Sequence, residues 1–401
     1  MGPLALMAKD AGMTVFGSDL EGSLVDVELE ARGIEFQIGA QDGRFLQQKV
    51  DEGGVDWFVY TSALPKDHAE LLLAKKLGIK ATKRDEFIAD LVEKLGLRMI
   101  AVTGTHGKTT TTAMLIWGCQ QLGVEISYLV GSTLPFAPAG HYAPNSKYFV
   151  YEADEFDRNF LHFYPWRAVI TSVSYDHADV YPTREEYLAA FKQFEKQSEK
   201  VIEDVAPKEG LTLAGEKRRL NASLAVEVLQ EITDVAEAEI VEIMNQFPGV
   251  RRRFEKLQEG AVSDYAHHPE EIQATIDLAR EEIKRDGKAG LVLVYEPHQN
   301  RRQHKIYKDY KQAFLGADKV FFLPTFLTRE NPELKLLTTE ELINEMENKE
   351  VAEAAVMGEE LAEKLKDYQR KNYLVVLMTA GPADKWFRSL FGDAQGFVAE
   401  R

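Results

Sequence analysis

The chain has 401 residues, 45% of them hydrophobic, and its 65 acidic against 48 basic side chains leave a formal charge of −17. That length is too great for one ordinary core and calls for two or three domains, while the acidic balance opposes non-specific binding to nucleic acid or anionic membranes. Cys119 is the only cysteine, which excludes a disulfide framework and a cysteine-based zinc site; with no membrane-length apolar run and no signal-peptide pattern, a cytoplasmic protein without a membrane partner is expected.

The chain opens on a helix-like stretch, MGPLALMAKDAG, with Pro3 well placed in its first turn. Short apolar strands then alternate with helical segments over residues 1–97: MTVFGSD, IEFQIG, VDWFVYTSALP and GIKAT. This is a parallel α/β pattern. Ser18 and Asp19 follow one strand, Thr61 and Ser62 another, and such sheets bind ligands at strand ends. A doubly wound sheet usually starts on a central strand with a glycine turn behind it. Here the first helix precedes any such strand, so the expectation is a first domain without its opening strand, Met1 being internal to a longer product, with unpaired edges on the strands beside the gap.

Residues 98–246 read as a second domain built on RMIAVTGTHGKTTTTAMLIWGCQQL. An apolar strand, Met99 to Val102, leads through Gly104, Thr105, His106 and Gly107 into Lys108 and a long helix expected to be amphipathic. Glycines there let backbone N–H groups turn towards phosphate oxygens, and the helix start adds partial positive charge. Lys108 would reach the β- and γ-phosphates; Thr109, with Thr110 a second hydroxyl in reach, would ligate the Mg²⁺ that bridges them. Val102 stands where the full phosphate-loop pattern has its first glycine. Two further strands end in charge. KYFVYEADEFDRNFL runs into Glu152, Asp154, Glu155 and Asp157, either a solvated acidic loop or a place for a hard cation; RAVITSVSYDHADVY is expected to end at Asp176, His177 and Asp179. Helices are expected over Thr183–Lys200 and Gly215–Glu231, joined by a short polar connection.

From Phe247 a third α/β domain, residues 247–401, begins at a hinge, FPGVRRRFEKL, followed by VSDYAHHPEEI, GLVLVYEPHQNRR, VFFLPTF and YLVVLMTAGP. Three arginines in isolation read as a solvated face. At an interdomain hinge, one of Arg251 to Arg253 is positioned to reach transferring phosphoryl charge.

In this order GTHGKTTTT, EADEFDRNFL, DH, GE before LNASLA, FPGVRRRFE, DYAHHPEEI and PHQNRR resemble the Mur ligase family, the ATP-dependent amino-acid ligases of peptidoglycan precursor synthesis. The resemblance covers all three segments. It implies an α/β protein with Rossmann-like N- and C-terminal domains around a central phosphate-loop ATPase domain. It is most similar to the branch that joins L-alanine to the lactyl carboxylate of UDP-N-acetylmuramate through an acyl phosphate; the branch that attaches a recycled tripeptide is the alternative. On that resemblance Lys108 cradles phosphate, Thr109 and Glu152 hold Mg²⁺, His177 serves a second Mg²⁺, and Asn221 contacts the nucleotide. Arg252 and Asp264 help close the third domain on ATP, His267 and Arg302 lie near the acyl phosphate or amino acid, and Ser18, Asp19, Thr61 and Ser62 belong to a UDP-sugar domain. The expected state is a monomer or homodimer. Departures from the family pattern are Lys217 and Arg218 in place of a histidine and asparagine, Gln299 in place of an arginine, and a short stretch between Ser198 and Leu213. They leave a catalytically impaired nucleotide-binding homologue as a third reading. Phe191 stands where several branches carry a lysine for carbamylation, so no carbamate is expected.

Overall fold

The structure, a computed structural model, describes residues 1–23, 25–175, 180–328 and 330–392. By contact density it divides into two compact units, residues 1–211 with 220–247, and residues 212–219 with 248–401.

The first unit begins with α1 (Gly2–Asp10), β1 (Phe16–Asp19), α2 (Asp26–Ala31), β2 (Glu35–Ile38) and α3 (Arg44–Gly53). It continues with β3 (Trp57–Tyr60), α4 (Ala69–Lys76), β4 (Lys80–Lys83) and α5 (Arg84–Lys94). The strands pair in parallel, β1 with β2 and β3 with β4, as two separate two-stranded sheets. Among the described residues β1 and β3 thus have one strand partner each.

Next come β5 (Arg98–Thr103), α6 (Lys108–Gln121), β6 (Ile126–Leu129), β7 (Gly140–His141), β8 (Tyr148–Glu152), β9 (Arg167–Ile170), α7 (Arg184–Gln197), β10 (Val201–Ile202), α8 (Glu216–Ile232) and α9 (Glu237–Asn245). Their sheet has the order β10-β9-β5-β8-β6-β7, parallel except for β7. Such a sheet, covered on both faces, takes the continuous apolar runs seen in β5 and β8. Three expectations need correction. Strand β9 stops at Ile170, well short of Asp176; just beyond it Thr171 and Ser172 turn their hydroxyls onto the His106 carbonyl, at 2.6 and 3.2 Å. The stretch between α7 and α8 contains a strand, β10. Helix α6 is buried around most of its circumference rather than amphipathic. Its outer side is covered by α8 and α9: Trp117 donates to the Ile243 carbonyl at 2.9 Å, and a Cβ on Gly118 would fall 2.4 Å from Leu229. Cys119 lies there, its thiol pushed up to about 12 by burial.

One large apolar cluster spans this unit, with a smaller one of Leu6, Leu29 and Ile34 beside it. Leu4 and Met7 of α1 and Phe87, Ile88, Leu91 and Val92 of α5 join Met99 of β5, Phe149 and Tyr151 of β8, and Tyr187 and Phe191 of α7. Phe191 is therefore a core side chain, edge-on to Phe160 and tilted against Tyr187.

The second unit holds β11 (Glu255–Gln258), β12 (Ala261–Asp264), α10 (Pro269–Asp286), β13 (Leu291–Glu296), α11 (Asn300–Ile306), α12 (Tyr310–Ala313), β14 (Lys319–Phe322), α13 (Thr339–Asn344), β15 (Ala352–Ala354), α14 (Glu359–Arg370), β16 (Leu374–Thr379) and α15 (Ala383–Phe391). Its sheet runs β11-β12-β16-β13-β14-β15, with β11 antiparallel and the others parallel. β13 and β16 are buried at every residue, and apolar clusters lie on both faces. No helix among the described residues is long and apolar enough to cross a membrane.

Candidate active site

In the first unit, β9, β5 and β8 are adjacent and parallel, so the chain leaves all three at one edge of the sheet. The loop after β5 is shaped by two glycines. Gly104 has φ +127° and a Cβ there would fall 2.4 Å from Thr171 Oγ1; Gly107 has φ +92° and a Cβ would fall 2.7 Å from Asn221 Oδ1. Both positions need glycine for conformation and for space. Asn221, on α8, is thereby seated against the loop.

Not every loop group faces outward. The Thr105 and His106 amides donate to the Ser172 carbonyl and hydroxyl, at 2.8 and 3.1 Å. The Thr105 hydroxyl donates to the Ser174 carbonyl and accepts the Ser174 N–H, at 2.7 and 2.8 Å. Thr105 thus braces the loop against the segment after β9 from within. The first N–H groups of α6, at Lys108, Thr109 and Thr110, have no intrahelical partner and are the ones left for an anion.

Lys108 Nζ donates to Glu155 Oε2 at 2.7 Å and to the Gly104 carbonyl at 2.6 Å. Burial works against its ammonium, but Glu155 and Asp154 outweigh that and raise its pKa. Glu155 is fully buried and is the site residue that the motif reading underrated; its signal was the second glutamate of EADE. Thr109 Oγ1 donates to Glu152 Oε1 at 2.8 Å, and the Gly131 amide donates to Glu152 Oε2 at 3.1 Å. Gly131, also missed, admits that carboxylate because a Cβ would fall 2.9 Å from it. His177, with Asp176 and Asp179, lies outside the described residues. No group of three or more His, Cys, Asp or Glu side chains suited to a metal occurs among the described residues. A hydroxyl and a carboxylate in contact nevertheless fit Mg²⁺, which takes one or two protein oxygens and completes its shell with phosphate and water.

Of the remaining candidates in this unit, Ser18 donates to Glu70 Oε2 at 2.8 Å and accepts from Gln41 at 2.9 Å. Asp19 is exposed. Thr61 accepts the Ala63 amide at 3.3 Å, and Ser62 lies 3.4 Å from Asn159 Oδ1.

In the second unit the hinge turn holds Arg252 and Phe254 at left-handed φ values of 56° and 51°. Asp264 accepts the Phe254 and Ala266 amides at 2.6 and 2.8 Å and the Thr275 hydroxyl at 3.1 Å, so here its carboxylate builds the turn. Burial raises its pKa, against the pull of Arg253 and those amides. Arg252 Nη2 donates to the Thr379 carbonyl at 2.6 Å, with its guanidinium 4.7 Å from the Tyr265 ring centre. Gln299 takes a left-handed φ of 61° where α11 begins, and Arg302 lies in the first turn of that helix. Burial depresses the basicity of Arg218, countered by Glu282 and Asp264.

His267 Nδ1 lies 2.9 Å from the Tyr265 carbonyl. A carbonyl only accepts, so Nδ1 carries the proton in the neutral ring and Nε2 is an acceptor. Burial lowers the pKa of His267 below 6.5; Glu271 opposes this, while Arg302 and Arg253 reinforce it. The unfolded chain therefore binds this proton first as pH falls, and stability is lost on going down through about 6.5 towards the folded value. Imidazole NMR of the intact protein should show a His267 midpoint below 6.5; a midpoint above it would reverse the assignment.

Three family models match along the chain: Mur ligase family, catalytic domain, at residues 1–94; Mur ligase middle domain at 102–206; and Mur ligase, glutamate ligase domain, at 252–381. The chain belongs to the Mur ligase family. The UDP-N-acetylmuramate--L-alanine ligase of Carboxydothermus hydrogenoformans is 31% identical, over 98% of this chain and 94% of its own. That of Clostridium kluyveri is 30% identical over 82% of each. Among solved structures, UDP-N-acetylmuramate-alanine ligase from Thermotoga maritima superposes with a TM-score of 0.77 at 21% identity, covering 97% of this chain and 95% of its own. A murein peptide ligase from Psychrobacter arcticus gives 0.61 at 20%, covering 100% and 97%. These Mur ligase folds agree with the α/β architecture described above.

Proposed function

We propose that this Mur ligase joins L-alanine to the lactyl carboxylate of UDP-N-acetylmuramate at the expense of ATP, a cytoplasmic step of peptidoglycan precursor synthesis. The observation that carries this reading is near-full-length identity of 31% to a ligase of that name. In the proposed chemistry the carboxylate attacks the γ-phosphorus and ADP leaves. The alanine amine then attacks the acyl carbonyl, and phosphate leaves with the C–O bond. Residues 1–97 take the UDP-sugar, with Ser18, Asp19, Thr61 and Ser62 at its strand ends; residues 98–246 take ATP; residues 247–401 take the amino acid. Gly104, Thr105 and Gly107 shape the phosphate cradle, Lys108 supplies its charge, Thr110 and Asn221 flank it, and Asp264 holds the hinge turn from which the third segment meets the nucleotide. Arg252 meets the transferring phosphoryl charge. His267, with a free acceptor nitrogen, takes the amine proton, and Arg302 lies beside it to hold a carboxylate. Thr109 and Glu152 would hold Mg²⁺, with His177 serving a second ion, and the metal would supply neutralisation of phosphate charge. The assembly is taken to be a monomer or homodimer.

Phosphate release that requires both UDP-N-acetylmuramate and an amine tests the reading. Alanine is expected to be preferred over glycine, serine and the tripeptide L-Ala-γ-D-Glu-diaminopimelate; preference for the tripeptide would select the recycling ligase, and no release with any amine would select the impaired homologue. In the same assay Glu152→Ala should raise the Mg²⁺ concentration needed for half-maximal rate, since one of two protein oxygens is removed. An unchanged Mg²⁺ titration would take Glu152 out of the metal site.

A further inference from the structure

We infer that Glu255, itself held by Arg388, is a positioning residue that sets the backbone conformation from which Arg252 acts. The inference rests on the reading of Arg252 as the group that meets phosphoryl charge.

Arg252 is an unusual place for an arm that must be aimed. Its φ of 56° lies in the left-handed region that side-chain-bearing residues rarely occupy, so something must hold it there. The Arg252 amide donates to Glu255 Oε2 at 2.8 Å. Glu255 is 5% exposed and is gripped by two Arg388 nitrogens, Nη1 on Oε1 at 3.1 Å and Nη2 on Oε2. Arg388, from α15, also donates through Nε to Asp384 Oδ2 at 2.9 Å, and Asp384 Oδ1 accepts the Ser263 hydroxyl of β12 at 2.5 Å. The Arg252 end of the turn is thus tied to α15 through Glu255, while Asp264 of β12 holds its Phe254 end. The Arg252 guanidinium, by contrast, is lightly held. One nitrogen uses the Thr379 carbonyl, while Nε makes no hydrogen bond and lies 3.9 Å from Asp384. The backbone is fixed and the head keeps donors for a ligand, the division expected of a residue aimed at substrate charge.

A buried ion pair adds little stability over apolar residues of the same volume. The pair can therefore be removed without leaving a lone charge: Glu255→Met with Arg388→Met keeps the bulk and leaves Asp384 with Ser263 and Arg252. The test is a cycle of Arg252→Ala, the Met pair, and the triple variant, each measured for ligation kcat, KM for ATP and thermal melting in the full-length protein. The Met pair should melt within a few degrees of wild type yet lose at least tenfold in kcat, and the triple should be no slower than Arg252→Ala alone. Wild-type kcat in the Met pair, or a triple whose loss is the product of the other two, would overturn the inference. Wild-type kcat in Arg252→Ala would remove the role of Arg252 and the latch with it. Glu255→Gln keeps an acceptor for the Arg252 amide and should retain most of the kcat lost in Glu255→Met. Equal losses in those two single variants would assign the effect to general support of the fold, and this comparison decides the matter if the Met pair does not fold.

Discussion

Lys108→Ala should abolish ATP turnover and loosen the phosphate-loop unit in the same step. On the proposed role of Lys108 as the charge of the phosphate cradle, its loss removes a term of several kcal/mol and hence reduces the rate by about three orders of magnitude. Stability falls for a separate reason. Lys108 is bonded to a fully buried Glu155, and removing one member of a buried pair costs roughly 3–5 kcal/mol because the other charge stays behind. The two effects separate in the double variant Lys108→Ala with Glu155→Ala, which should regain most of the lost melting temperature and none of the activity. ADP release and thermal melting on the three proteins make the comparison. Near-normal turnover in Lys108→Ala would refute the phosphate-loop assignment.

Gly104→Ala should be nearly as damaging without altering any charge. Alanine at φ +127° is strained, at a cost of about 1–3 kcal/mol. Its methyl would meet Thr171 Oγ1 at 2.4 Å and the Ser172 carbonyl at 2.6 Å, and backbone cannot yield as a flexible side chain can. Forced displacement of that kind costs a further ~1–3 kcal/mol and moves the amides that shape the cradle. ATP binding by calorimetry is expected to drop below detection. Gly123→Ala is the control: its φ of +68° is also left-handed, but nothing lies within 4 Å, so a loss of only about 1 kcal/mol and intact ATP binding are expected. Equal behaviour of the two variants would deny Gly104 its special place.

Why some of this was legible in the sequence and some was not follows from the range of the interactions. The strands β1 to β5 and the helices α1, α7 and α8 are signalled by apolar runs, glycines and caps within their own length, and the structure places them where expected. GKTT with its two glycines is equally local. What failed was decided at a distance. Strand β9 was read too long; just beyond its end Thr171 and Ser172 bond a loop more than sixty positions earlier. Helix α6 was read as amphipathic because α9, which covers it, carries no glycine or proline signal and was overlooked. Strand β10 is two residues long, too short for a periodicity to register. Glu155 could be seen as acidic in EADE, but only the fold pairs it with Lys108. The left-handed Arg252 amide is bonded to nearby Glu255, but the partner that fixes that carboxylate, Arg388, lies 133 positions further along the chain.

One apolar cluster of the first unit links parts of the chain for which different substrates are proposed. Leu91 and Phe87 of α5 and Phe149 and Tyr151 of β8 lie in one apolar cluster, and Tyr151 donates to the buried Asp85 at 2.5 Å across the same junction. Residues 1–97 and the strands beneath the phosphate loop therefore share buried apolar surface. A truncation such as Leu91→Ala opens its cavity beside β8 as well, so a substitution in the first segment is felt by the strand that ends in Glu152.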